Sequence, residues 1–368
     1  MDNPEFDIFL VATPGLEAPL AAEAAALGWQ PVTQPGGVTI RGGWPDVWRA
    51  NLWLRGATRV LARIGGFRAM HLAQLDKRAR KFPWGDLLRP DLAVKVDTTC
   101  HASRIYHAGA ATQRIERAIT ETTGAPLAAD APMVVKARID DDLVTFSLDT
   151  TGESLHKRGH KQAVAKAPMR ETMAAMFLAG MGFDGSQPVY DPMCGSGTFV
   201  IEAAEIAAGL APGRSRAFAF QQLANFDPAA WEALRRPTPA RDTPAQFFGS
   251  DRDAGAIRMS LANAERAGVT ALTRFHMAPL SDLLRPDCAP GIVIVNPPYG
   301  ARIGGKGPLF GLHAAMGEVF RTRLQGWRIG MVTSEAGLAK ATGLPWQAPG
   351  PIVAHGGLKV RLWQTGPL

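Results

Sequence analysis

The sequence predicts a chain of two parts, a smaller α+β region followed by an α/β domain built on a doubly wound, mostly parallel sheet. Three observations lead there. From Pro188 onward, short apolar runs alternate with helix-length segments, the rhythm of strand–helix–strand units. Within that rhythm the stretch GIVIVNPPYG, Gly291 to Gly300, opens on four apolar residues, Ile292 to Val295, as a strand buried on both faces would. The first 150 residues carry strand and helix patterns but no catalytic constellation, as a binding region would.

Composition sets the bounds. With 368 residues, 46% of them hydrophobic, and a mean hydropathy of −0.04, the chain is expected to be soluble, with two or three cores. No apolar run approaches the roughly 20 residues of a membrane span. The N-terminal MDNPEFDIFL has acids where a signal peptide has Lys or Arg. Cys100, Cys194 and Cys288 lie far apart, which excludes a disulfide framework and a thiolate-rich zinc site. A cytoplasmic protein without membrane or metal partner is expected. Net charge is +7. From Arg55 to Lys81 eight basic residues face one acid, Asp76, and from Ser154 to Arg170 five basic residues face none. Such stretches favour phosphate contact, with little specificity.

Taken in order, Phe6–Ala12 reads as a strand and Pro14–Leu27 as a helix closed by Gly28. Val38–Arg41 is a strand, and Asp46–Leu54 a helix with Trp44, Trp48 and Trp53 packing inside. Ala93–Thr98 is a strand and Thr112–Thr122 a helix ending at Gly124. Met133–Ile139 and Leu143–Leu148 form a hairpin about Asp140-Asp141-Asp142. A polar, basic linker follows. Met169–Ala179 is helical; then come strands at Pro188–Asp191, Gln246–Asp251, Leu272–Met277, Gly291–Asn296 and Trp327–Thr333. Between them lie helices at Thr198–Ala208, Asp253–Ala267 and Leu309–Arg323. PIVAHGGLKVRLW closes the chain as a hairpin, and the Pro- and Arg-rich run to Thr243 reads as a surface insertion.

The segment VYDPMCGSGTFVIEAA is strand, loop and helix. Gly195 and Gly197 let the backbone turn tightly and approach a ligand. Asp191 at the strand end can accept a hydrogen bond from a cationic amino group. The loop has neither GxGxxG nor the Lys-Ser/Thr of a phosphate-binding loop. The string Asp191, Pro192, Met193, Cys194, Gly195, Ser196, Gly197, Thr198 resembles the S-adenosylmethionine loop of class I methyltransferases. A parallel sheet finished by an antiparallel hairpin is also their arrangement. Asp251 ends the next strand, where an acid commonly holds the ribose hydroxyls of an adenosine cofactor. The bland role for Asp251 is a helix N-cap, which Asp253 could fill instead. Where the resemblance implies an Asp near the adenine there stands Pro279, with Asp282 three residues on as a substitute.

Asn296, Pro297, Pro298 and Tyr299 form the NPPY string, and the prolines end the strand because neither can donate a ladder hydrogen bond. An exocyclic amine on a base is a poor nucleophile, its lone pair delocalised into the ring. The Asn296 side-chain oxygen and the Pro297 carbonyl can grip its hydrogens, and Tyr299 can stack on the base. With DPMCGSGT, NPPY resembles the methyltransferases of exocyclic base amines. LDTTGESLHKRGHK, APMRETMAA, DPMCGSGT and VNPPYGARI together resemble, in order and spacing, the THUMP-domain 23S rRNA guanine-N2 methyltransferases. That resemblance implies a ferredoxin-like and THUMP RNA-binding region at 1–155, a basic linker at 156–170, and a Rossmann-like methyltransferase domain at 171–368. It implies S-adenosylmethionine as cofactor, 23S rRNA as substrate with tRNA as the runner-up, and RNA contact through Lys157, Arg158, Lys161 and Arg302. Adenine-N6 methylation and a non-catalytic assembly protein are the other readings. Some members carry a second methyltransferase domain for guanine N7, which this chain is not expected to supply.

Overall fold

A computed structural model describes residues 5–162, 169–236, 240–299 and 306–368. The chain forms two compact units. One comprises Met1–Val11, Ala21–Leu155 and Arg216–Arg236, the other Ala12–Leu20, His156–Ser215 and Pro237–Leu368.

The elements up to Leu155 are β1 (Phe6–Val11), α1 (Glu17–Ala26), β2 (Val32–Gln34), β3 (Gly37–Gly42), α2 (Trp44–Trp53), β4 (Arg59–Arg68), α3 (Leu72–Ala79), β5 (Val94–His101), α4 (Ala108–Thr123), β6 (Met133–Asp140) and β7 (Leu143–Asp149). The first unit's sheet runs β2-β3-β1-β4-β7-β6-β5. The β6–β7 turn is as expected: Asp141 and Asp142 take positive φ, 49° and 60°, which Asp tolerates better than most residues. Of the three tryptophans between Trp44 and Trp53, Trp48 is buried, while Trp44 and Trp53 are half-buried.

Two expectations are corrected in this unit. The basic stretch from Arg55 contains a strand, β4, whose Val60 and Ala62 are buried while Arg59 and Arg63 alternate with them. Arg59 pairs with buried Asp149 at 2.5 Å, Arg63 with Asp7 at 3.6 Å, and Arg80 with Asp76 at 2.9 Å. Arg59, Arg63 and Arg80 are thus engaged in ion pairs within the unit. The stretch up to Thr243 is not a surface insertion either. It holds a short turn at Ala219–Gln222 and α7 (Pro228–Arg235), with Phe218, Phe220, Leu223 and Trp231 buried. Phe220 stacks on Trp48, ring centroids 6.1 Å apart, and meets Trp231 edge-on at 5.0 Å. Aromatic burial puts this segment in the core of the unit that the first 155 residues build.

The second unit contains α5 (Glu171–Gly180), β8 (Val189–Asp191), α6 (Thr198–Ala207), β9 (Phe247–Asp251), α8 (Ala254–Ala267), β10 (Thr273–Met277), β11 (Ile292–Val295), α9 (Lys306–Arg323), β12 (Arg328–Thr333), α10 (Ala336–Ala341), β13 (Val353–His355) and β14 (Leu358–Pro367). Its sheet runs β10-β9-β8-β11-β12-β14-β13. The first five strands are parallel, and β14 is antiparallel to both β12 and β13. This is the Rossmann-like sheet expected, with the antiparallel hairpin at its edge. Strand order reverses between β8 and β11, and at such a switch point the carboxyl ends of neighbouring strands diverge to leave a crevice. All four residues of β11 are buried, as their unbroken apolar run requires.

Candidate active site

The strand β8 delivers Asp191 to the carboxyl edge of the sheet, and the chain then turns through Pro192–Gly197 into α6. Gly195 and Gly197 take φ of +54° and +83°, left-handed values that favour glycine. A Cβ on Gly197 would lie 3.0 Å from Ser260 Oγ. Hydrogen bonds tie the loop on every side. Cys194 N donates to Ser250 O (3.0 Å), Ser260 Oγ to Gly195 O (3.0 Å), and Asn263 Nδ2 to Ser196 O (3.1 Å). Met193 N donates to Asp191 Oδ1 and Gly195 N to Asp251 Oδ2, each at 3.0 Å.

Asp251 therefore joins the loop from the end of β9. Its Oδ1 accepts from Asp253 N at 2.9 Å, and Asp253 itself caps α8 by accepting from Gly255 N. The cap is Asp253, which leaves Asp251 to the loop. Burial pushes the Asp191 carboxyl up to about 8, the Met193 amide opposes this, and the charge of Asp251 adds to it. A buried acid beside a second acid is poised for a cation, which would restore its ionised form. The cationic amino acid end of S-adenosylmethionine fits that demand, and the remaining lone pairs of Asp251 fit its ribose hydroxyls. Cys194 is held as a thiol: burial, then the charge of Asp191, pushes it well above its ordinary value.

One strand over, β11 pairs with β8 through Ile292–Val189 and Val293–Tyr190, so Asn296 leaves the sheet beside the cofactor loop. Asn296 Oδ1 is sealed from solvent and, among the described residues, accepts no hydrogen bond. Pro297 is buried and Tyr299 half-buried. Burial pushes the Tyr299 hydroxyl up to about 12, so it stays protonated at neutral pH. An unpaired buried acceptor costs about 1–3 kcal/mol. At the crevice, such an acceptor can take a donor that a ligand brings.

Comparison with known proteins agrees with this geometry. Residues 158–347 match the family described as RMKL-like, methyltransferase domain, and residues 7–61 match the RlmL ferredoxin-like domain. The chain belongs to the RMKL-like methyltransferase family. It is 32% identical over 366 residues to slr0064 of Synechocystis, provisionally named as an RNA methyltransferase, covering 96% of this chain and 95% of that protein. It is 35% identical to a protein of Syntrophotalea carbinolica named ribosomal RNA large subunit methyltransferase K/L, covering 94% of this chain. The chain spans about half the length of that relative (51%). The crystal structure of SMU.472 complexed with SAH superposes with a TM-score of 0.89 at 26% identity, covering 100% of this chain and 99% of that one. As a member of the RMKL-like family, this protein is a methyltransferase with S-adenosylmethionine as its cofactor.

Other expected site residues are placed differently. Asp282 is exposed on the turn Leu280–Asp282, where it accepts from Ser281 Oγ at 3.1 Å. Among the described residues no hydrogen bond joins it to the cofactor loop. Pro279 precedes that turn. The expected RNA contacts Arg158 and Lys161 are corrected. Arg158 is 1% exposed and pairs with equally buried Glu202 of α6 at 3.2 Å. Lys161 Nζ pairs with Glu171 at 3.1 Å and donates to Thr198 Oγ1 at 2.8 Å and Met169 O at 2.9 Å. Two acids in the helices, invisible to a count along the basic run, draw these cations inward. Lys157 is exposed. Arg302 lies outside the described residues. In the RMKL-like methyltransferase, Lys161 thus anchors the first residue of α6, just past Gly197. Sequence reasoning missed Ser250, Ser260 and Asn263, which no motif marks because each acts on the loop backbone.

Proposed function

We propose that this protein methylates the exocyclic N2 amine of a guanine in 23S rRNA. The observation that carries the reading is the sealed Asn296 Oδ1 beside the cofactor loop, without a partner among the described residues. A guanine amine supplies two N–H donors: Asn296 Oδ1 accepts one and the Pro297 carbonyl the other. Gripping both favours the pyramidal amine, whose lone pair is free to attack. Bound S-adenosylmethionine supplies the methyl group on a sulfonium. Because the sulfonium is already activated, no strong base is required, and the acceptors act by preorganisation. Tyr299, kept neutral, offers a ring face to the base. An RNA substrate is supported by the name of slr0064, rRNA by the names of the K/L relatives, and the guanine by the resemblance of the whole motif set.

Nucleoside mass spectrometry of 23S rRNA and tRNA from a strain lacking the gene tests it. Loss of one N2-methylguanosine from 23S rRNA is expected. A loss confined to tRNA, or of N6-methyladenosine, would overturn the reading.

A further inference from the structure

A cavity of about 480 Å³ opens in the second unit, lined by Thr333, Ser334, Ile352, Lys359, Arg361 and Trp363 among others. Its size is that of small-ligand pockets, about 300–1,000 Å³. Its chemistry is divided. Lys359, Arg361 and Trp363 alternate along β14 and so share one face, while Val360 and Leu362 between them are buried on the other. Among the described residues, no acid lines the cavity and Lys359 has no ion pair. Arg361 Nη1 donates to Gly350 O at 3.1 Å, which leaves most of its five donors available. Ile352, 47% exposed, and Pro349 add apolar surface to the lining; Ile352 precedes Val353, which pairs with Val360, and so lies beside Arg361. Trp363 is 9% exposed, yet its Nε1 has no acceptor among the described residues.

Register places this cavity relative to the crevice. Val295 lies level with Met331, and Met331 level with Trp363; Thr333 lies level with Arg361. The cations of β14 thus stand at the carboxyl edge of the sheet, at the level where Pro297 leaves β11. Two strand spacings separate them, about 10 Å. That is too far to touch the target amine but close enough to hold its neighbour in a strand.

We propose that this cavity binds the nucleotide next to the target in the substrate RNA. Lys359 and Arg361 take its phosphate, Ile352 and Pro349 face its base, and Trp363 Nε1 supplies a donor to a base carbonyl or phosphate oxygen. The proposal rests on the RNA reading above and adds to it a positioning site apart from both motifs.

Steady-state methylation of an unmodified 23S rRNA transcript, with cofactor affinity measured alongside, tests it in the full chain. Lys359→Ala should raise KM for RNA about tenfold, Lys359→Glu further, with a smaller change in kcat. The slope of log affinity against log salt should fall by about 0.7–0.9, one phosphate contact. Ile352→Ser, which removes apolar surface and adds no charge, should raise KM without altering that slope. Cofactor affinity should be unchanged in all three, showing that each variant is folded. Wild-type KM and salt slope in both Lys359 variants would overturn the subsite while leaving the RNA reading intact. Wild-type protein that binds cofactor but methylates no RNA would overturn both.

Discussion

The cofactor loop and the NPPY turn lie on adjacent strands and are built on opposite principles. From Met193 to Gly197 the loop's backbone is bonded to Asp191, Ser250, Asp251, Ser260 and Asn263. At the turn, Asn296 Oδ1 has no partner among the described residues. The loop is a finished cradle, held in shape before any ligand arrives. The turn is left incomplete, and in the proposed function the substrate brings the missing donor. A site for a ligand that must leave unchanged in position can be rigid. An acceptor meant to act in the transition state has to be kept unsatisfied until then.

Substitutions separate the two designs. The largest effect is expected at the turn: Asn296→Ala should lower the single-turnover rate by roughly a hundredfold or more, the usual cost of one preorganised polar group. Its melting temperature should change little, because Oδ1 accepts no hydrogen bond among the described residues, and calorimetry should give wild-type cofactor affinity. A wild-type rate would leave NPPY as a turn only.

Asp191→Asn should weaken cofactor binding at least tenfold while stabilising the cofactor-free protein. The sign follows from the raised carboxyl: the unfolded group ionises near 3.9, the folded one only near 8. The unfolded state therefore binds fewer protons across that window, and stability falls as pH rises from about 4 to about 8. Removing the ionisable group should recover about 1–3 kcal/mol at pH 7. Thermal melts of both proteins at pH 5 and pH 8 check it, and a gap that narrows towards pH 8 would contradict the assignment. The smallest effect belongs to the loop's outer ties. Ser260→Ala removes one hydrogen bond to Gly195 O and should cost about 1 kcal/mol of stability with a fewfold loss of cofactor affinity. An unaltered affinity would mean that the remaining bonds suffice.

What the sequence made legible follows a physical division. Strands of the second unit announce themselves because a strand buried on both faces needs an unbroken apolar run, as in Ile292–Val295. Turns that need special backbone are equally plain, as at Asp141–Asp142 and Gly195. The segments misread from sequence are those whose partners are distant in sequence. Arg158 looks like a surface cation until Glu202 is brought beside it, and β4 looks like a charge run until Asp149 and Asp7 meet its arginines. The helix α3 has His71 as its N-cap, Nδ1 accepting from Gln74 N at 3.3 Å, a residue outside the usual capping set. Ser260 and Asn263 are ordinary residues on a helix face until the loop is laid over them.

The segment Arg216–Arg236 has a consequence for how this protein can be made. It is synthesised after the cofactor loop, yet Phe220 and Trp231 fill the interior of the part whose other residues precede Leu155. On the ribosome, the first unit cannot complete its core until Arg236 has been made, about 80 residues after Leu155. Cutting the gene near residue 155 would yield two defective products, one lacking its plug and the other carrying buried aromatics with nowhere to go. The two units are interleaved along the message.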